Sequence, residues 1–97
     1  MSKVIRCYKP GGEFEDIEQT LTLEELQRRL SGYVEVRNFG FVSVACDEEG
    51  KVKGLPFCRR ISSTDFVGDL YVGKFTDSGL LPVDSKLLET FESMCAM

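Results

Sequence analysis

The sequence predicts an α+β fold: one mostly antiparallel sheet with two helices packed on one face. Three observations lead there. Several short runs alternate apolar and polar residues with period two, which marks half-buried strands. Two segments carry helix-start signals, at Thr22 and at Asp84. The elements fall in the order β-β-α-β-β-(β)-β-α, and helices of about 9 and 12 residues are too short to shield a separate sheet each.

Residues 3–8 (KVIRCY) read as a first strand, with Val4, Arg6 and Tyr8 on one side and Ile5 and Cys7 on the other. Lys9-Pro10-Gly11-Gly12 is a turn. Residues 13–18 form a short acidic strand hairpinned to the first, its charge opposing edge-to-edge pairing. Thr22-Leu23-Glu24-Glu25 is a capping box, with Leu21 and Leu26 as a hydrophobic staple. The helix is expected over residues 23–31 with its apolar face on Leu23, Leu26 and Leu30, and Gly32 is expected to supply the left-handed C-cap.

Residues 33–37 (YVEVR) and 41–46 (FVSVAC) form a hairpin around a three-residue loop, Asn38-Phe39-Gly40. That loop puts Val34 and Val36 on the face of Val42, Val44 and Cys46. Asp47-Glu48-Glu49-Gly50-Lys51 is a turn, and residues 52–55 a short strand ending at Pro56. Residues 57–68 show no clean period. Residues 70–75 (LYVGKF) read as a strand in which Gly73 marks a bulge or a close backbone approach. After another turn, Asp84 caps a last helix with Val83 and Leu88 as its staple and Leu87, Leu88, Phe91, Met94 and Cys95 as its apolar stripe.

The 97 residues carry 12 Lys+Arg against 16 Asp+Glu, a formal net charge of −4. This length predicts a single domain over residues 1–97. The absence of histidine excludes Ser-His-Asp and Cys-His catalysis and histidine-containing metal sites. The acidic balance opposes duplex nucleic acid binding. No apolar run approaches the roughly 18 residues of a membrane span, and MSKVIRCYKP lacks the apolar stretch of a signal peptide. The expectation is a cytoplasmic protein with no membrane partner. Cys7, Cys46, Cys58 and Cys95 have no CxxC spacing and read as reduced, apolar thiols, with no metal and no cofactor. The pairs Glu48/Glu49 and Glu13/Glu15 lie outside apolar sequence, so nothing shifts their pKa values towards catalytic work. The chain is expected not to be an enzyme.

The pieces TLEELQ and LSGYVEV around the first helix, VACDEEGK and GLP around the central turn, the Arg59-Arg60 pair, and GDLYVGKF resemble a family of small bacteriophage and plasmid proteins, a domain of unknown function. The resemblance covers residues 2–75 and is most specific over residues 20–36 and 47–56. That family often carries Asn just before the arginines, where this chain has Cys58. The resemblance implies a phage or mobile-element setting and an intracellular life, and it brings no catalytic residues.

Charge is unevenly spread. Residues 13–25 hold six acids and no base; residues 51–60 hold four bases and no acid. Lys53, Arg59 and Arg60 are the candidate anion site, because arginine forks match phosphate and carboxylate geometry. The alternative is a solvated loop whose arginines pair with Glu13, Glu15 or Asp16. Phe39, at a hairpin tip, is the candidate partner contact; the alternative is a ring folded back as a lid on the sheet. The acidic stretch can mimic a nucleic-acid backbone on a basic partner, or simply be a charged edge and a helix start. Two functions follow. The first is a phage or mobile-element accessory protein that binds a host or phage protein, with anti-defence inhibition as its outcome; self-association stays open. The second is binding of a small anionic ligand, such as a nucleotide or signalling oligonucleotide, through Lys53, Arg59 and Arg60 with Tyr33, Phe39 or Tyr71 stacking.

Overall fold

The computed structural model describes residues 3–96. The ends of the domain expected over 1–97 (residues 1, 2 and 97) lie outside the described residues. Strand β1 (Lys3–Tyr8) and β2 (Phe14–Ile17) precede α1 (Leu23–Leu30). Then come β3 (Val34–Asn38), β4 (Ser43–Asp47), β5 (Phe57–Ile61), β6 (Thr64–Val67), β7 (Leu70–Thr76), β8 (Gly79–Leu81) and β9 (Val83–Asp84). Helix α2 (Ser85–Met94) and β10 (Cys95–Ala96) follow. The main sheet runs β2-β1-β7-β4-β3, with β8 beside β7 and β9 beside β1. A second sheet runs β10-β5-β6. All the pairings are antiparallel, as an α+β fold of this kind requires.

The two helices do not share a face. Ile5, Cys7, Ile17, Ala45 and Tyr71 pack with Leu26 and Leu30 of α1. The alternate residues Val4, Tyr8, Val44, Leu70 and Val72 pack with Leu88 and Phe91 of α2, and with Cys58, Ile61 and Phe66 of the second sheet. The molecule is therefore three layers: α1, the main sheet, then α2 beside the small sheet. The cause lies in the strands. β1 is apolar on both sides, and every residue of β4 is buried. A sheet apolar on both faces must be covered twice. Burying Leu26 and Leu30 contributes roughly 1.5–3 kcal/mol each, before chain entropy is counted.

The β3–β4 hairpin also differs from expectation. Asn38 pairs with Ser43, so the loop is one residue longer than Asn38-Phe39-Gly40. The partner of Val36 becomes Ala45 where the shorter loop would give Val42, and a register shift by an odd number of residues turns every side chain to the other face. Val34 and Val36 accordingly pack on the α1 side, whereas Glu35 and Arg37 share a face with Cys46 and Val44. Residues 52–55 are turn and coil, not strand, and Val52 is 89% exposed. The strands absent from the sequence reading are the short β8, β9 and β10 and, longer than these, β5 and β6. The pattern of β5 and β6 is hidden by an irregular register between Phe57 and Arg59 and by a turn of two serines, Ser62 and Ser63, both with positive φ (49° and 71°).

The capping box of α1 forms as read, with the Thr22 hydroxyl accepting from Glu25 N–H and the Glu25 carboxylate accepting from Thr22 N–H. Leu21 and Leu26 are both fully buried, but Leu23 is 45% exposed. The left-handed C-cap is Ser31 (φ 60°), one residue before the expected Gly32. Lys53 Nζ donates to the Ser31 carbonyl at 3.0 Å and ties down that end. Asp84 caps α2 by accepting from Lys86 N–H at 2.9 Å.

Gly73 is where β1 and β7 part, so that β8 can join β7 and β9 can join β1. A Cβ there would lie 2.5 Å from the Leu81 carbonyl oxygen and 3.1 Å from Leu80 Cγ. Gly73→Ala is expected to cost about 1–3 kcal/mol by overpacking, seen as a lower urea midpoint at unchanged slope. At the β5–β6 turn, Ser62→Asn with Ser63→Gly supplies the residue types suited to two positive φ values. The double variant is expected to gain about 0.5–1 kcal/mol, read as a higher melting temperature.

Candidate functional site

The basic segment of the sequence enters the structure as three separate contacts. Lys53 Nζ lies 2.7 Å from Asp47 Oδ2. Arg60 pairs with Asp65 across the β5–β6 hairpin at 2.7 Å. Arg59 donates from Nη1 to the Cys58 carbonyl at 2.8 Å and sits 5.4 Å from the Tyr8 ring centre. Neighbouring residues of a strand point to opposite sides, so Arg59 and Arg60 diverge. The structure does not bring Lys53, Arg59 and Arg60 together, and none of the three pairs with Glu13, Glu15 or Asp16. Phe39 is half-buried, its ring centre 6.4 Å from that of Phe66. Tyr71 is buried under α1, with Arg29 over its ring, while Tyr33 is 68% exposed.

What the fold does assemble lies on the α2 face of β1. Arg6 is held by Asp16 of β2 in a two-pronged contact, Nε to Oδ1 at 2.7 Å and Nη2 to Oδ2 at 3.1 Å. Its Nη1 reaches Glu92 of α2 at 3.1 Å. The Tyr8 hydroxyl donates to the same Glu92 oxygen at 2.8 Å. The Arg6 guanidinium also lies 4.3 Å from the Phe14 ring centre. Asp16, through its hydrogen bonds, raises the Arg6 pKa further above an already permanent charge. Burial, and then the Glu92 carboxylate, push the Tyr8 phenol well above its ordinary value. Tyr8 therefore stays a donor at all ordinary pH.

Beside this network is a cleft of about 210 Å³ lined by Tyr8, Gly12, Phe14, Arg59, Glu92 and Cys95. Arg59 is its cation and has no carboxylate partner among the described residues. A smaller groove of about 150 Å³ separates the edge strands β3 and β6, where the Glu35–Arg37 pair faces Phe66.

Sequence reading missed Arg6, Tyr8, Phe14 and Glu92 as a group. One signal was present: Arg6 sits between Val4 and Tyr8 on an alternating face, and an inward-facing arginine needs partners. Nothing in the sequence named Glu92 as one of them.

The chain matches a family described as a domain of unknown function, DUF3846, over residues 3–90. The chain belongs to this family. The DUF3846 stretch runs from β1 into α2 and includes Arg6, Tyr8, Phe14 and Arg59; Glu92 and Cys95 lie beyond it. No curated protein and no solved structure matches the chain.

The remaining chemistry in the DUF3846 stretch is quiet. Burial pushes the thiols of Cys7, Cys46 and Cys58 up to about 11, which keeps them protonated and unreactive at neutral pH. Among the described residues no group of three or more Cys, Asp or Glu side chains is placed to hold a metal ion. No helix among them is long and apolar enough to cross a membrane.

Asp47 is the buried carboxylate among the described residues, with its side chain 3% exposed. Burial raises its pKa, but the Lys53 ammonium and the Glu49 N–H outweigh that and leave it below the ordinary value. A lowered native pKa contributes stability that is full above the unfolded pKa of about 3.9 and is lost as pH falls through the native value. Asp47→Asn is expected to cost about 1–3 kcal/mol at pH 7. Denaturation series from pH 7 to pH 2 should show that deficit shrinking in strong acid; a deficit constant with pH would remove the charge from the account.

Proposed function

We infer that this chain is a non-catalytic protein-binding module, and that the β2 edge with the start of α1 meets a basic surface on its partner. One observation supports this reading. Glu13, Glu15, Glu18 and Glu24 are exposed and take part in no ion pair among the described residues. Glu48, Glu49, Asp77 and Glu89 are likewise exposed and unpaired but lie elsewhere along the chain, whereas the first four fall within residues 13–24; Asp16, Glu35, Asp47 and Asp65 are each matched by a cation. Glu13, Glu15 and Glu18 along the sheet edge, with Glu24 at the start of α1, repel one another and discourage a second copy from pairing there. They also steer a basic partner towards the edge and speed its docking. Read with the resemblance to small bacteriophage and plasmid proteins, the partner is a host or phage protein, and the outcome is inhibition of a host defence. The reduced, mostly buried cysteines accord with action in the cytoplasm.

The test is a comparison of baits in the native host. Tagged parent, a Glu13→Lys/Glu15→Lys/Glu18→Lys variant and a Glu48→Lys/Glu49→Lys control are purified with their partners and compared by mass spectrometry. Glu48 and Glu49 are equally exposed and lie outside the edge. A partner held by parent and control but lost from the edge variant is the expected result. Retention of every partner by the edge variant, with its melting temperature unchanged, would assign the interface elsewhere.

A further inference from the structure

We propose that the cleft in which Arg59 lies over Tyr8 binds the anionic end of a flat aromatic or heteroaromatic molecule carrying one negative charge. This site adjoins the acidic edge, since Gly12 and Phe14 of its lining flank Glu13, but it uses a cation and not the edge carboxylates. Arg59 spends one N–H group on the Cys58 carbonyl, and its Nε and Nη2 have no protein partner among the described residues. No buried side-chain nitrogen or oxygen among those residues lacks a partner, so these donors reach solvent. A guanidinium fixed against a ring and backed by a carbonyl is pre-oriented, and its open edge matches a two-oxygen acceptor.

The surrounding charges set the ligand's charge. Arg6 faces two carboxylates, Asp16 and Glu92, and leaves one negative charge in excess. Arg59 brings these four side chains to neutral, and the unpaired Glu13 between Gly12 and Phe14 adds a negative charge nearby in sequence. One negative charge is matched by the open Arg59 fork; a polyphosphate would add charge against Glu92, which also lines the cleft. The walls set the ligand's shape. Phe14 is 52% exposed at the rim, and Gly12 presents no side chain: a Cβ there would meet nothing within 4 Å. The cleft of about 210 Å³ falls short of ordinary ligand pockets, which run roughly 300–1,000 Å³. It takes an oxyanion and leaves an attached ring to stack on Phe14. The shared chemistry is a ring bearing a monoanionic phosphodiester or a carboxylate.

Amide and arginine side-chain NMR spectra of the full chain, titrated with cyclic AMP and separately with benzoate, distinguish the two sources. The expected result is a saturable shift of the Gly12 and Phe14 amides and the Arg59 Nε–H with at least one of them. Arg59→Lys keeps the charge but loses the fork, and is expected to weaken binding about tenfold or more. Phe14→Ala, at a half-exposed position, is expected to weaken it without disturbing the spectrum elsewhere. AMP, with its extra charge, is expected to bind no more tightly than cyclic AMP. No saturable shift at these residues with either molecule would overturn the proposal. So would parent-like binding by both Arg59→Lys and Phe14→Ala.

Discussion

The structure depends on a sheet that is apolar on both faces. Strands β1, β4 and β7 each alternate between two sets of buried side chains, Val4 and Tyr8 against Ile5 and Cys7 in the first of them. Water must be excluded twice, and a chain this short has few elements with which to do it. Helix α1 serves one face. The other is shared by α2 and the three strands of the small sheet. The remaining polar features follow from that arrangement. Asp47 is buried because β4 is buried throughout, and Lys53 reaches it across the turn while holding the Ser31 carbonyl at the end of α1. One ammonium thus joins the helix on one face to the strand beneath it.

The same constraint makes the candidate cleft. Arg6 belongs to a face that is otherwise apolar, so its guanidinium must be matched where α2 passes over β1. Asp16 and Glu92 match it, and the Tyr8 hydroxyl completes the oxygen shell of Glu92. Charge here is balanced in excess of structural need on one side of the cleft. On the other side stands Arg59, with an aromatic ring and a carbonyl for company. Such asymmetry gives a surface its selectivity: one wall fixed and satisfied, the other open.

Much of this architecture was legible in the sequence, and the failures are local. The Thr22 capping box and the Leu21–Leu26 staple declare α1 because their spacing is set by helix geometry alone. Gly73 announced a close approach, since only a missing side chain suits it. The helix faces were illegible because Ala45 and Ser43 look like a polar or neutral side of β4, whereas both are buried, Ala45 in the cluster with α1 and Ser43 with its hydroxyl accepting from Phe75 N–H. The β5–β6 hairpin was hidden because Ser62 and Ser63 adopt a turn that sequence signals associate with Asn and Gly. The basic segment misled for another reason. Adjacency in sequence says nothing of direction, and a strand sends Arg59 and Arg60 apart.

The pairing of β1 has a consequence for the order in which the chain can fold. Its near partner is β2, which contributes Phe14–Ile17. Its other neighbours are β7 and β9, and Val4 lies opposite Val83. On a ribosome adding roughly 5–20 residues per second, β1 emerges several seconds before the strands that seal its second edge. Until then the hairpin with β2 exposes Val4 and Tyr8 on one face and Ile5 and Cys7 on the other. Contacts so distant along the chain slow folding. The acidic residues of β2 are made early enough to keep that waiting hairpin from pairing with its like on neighbouring ribosomes.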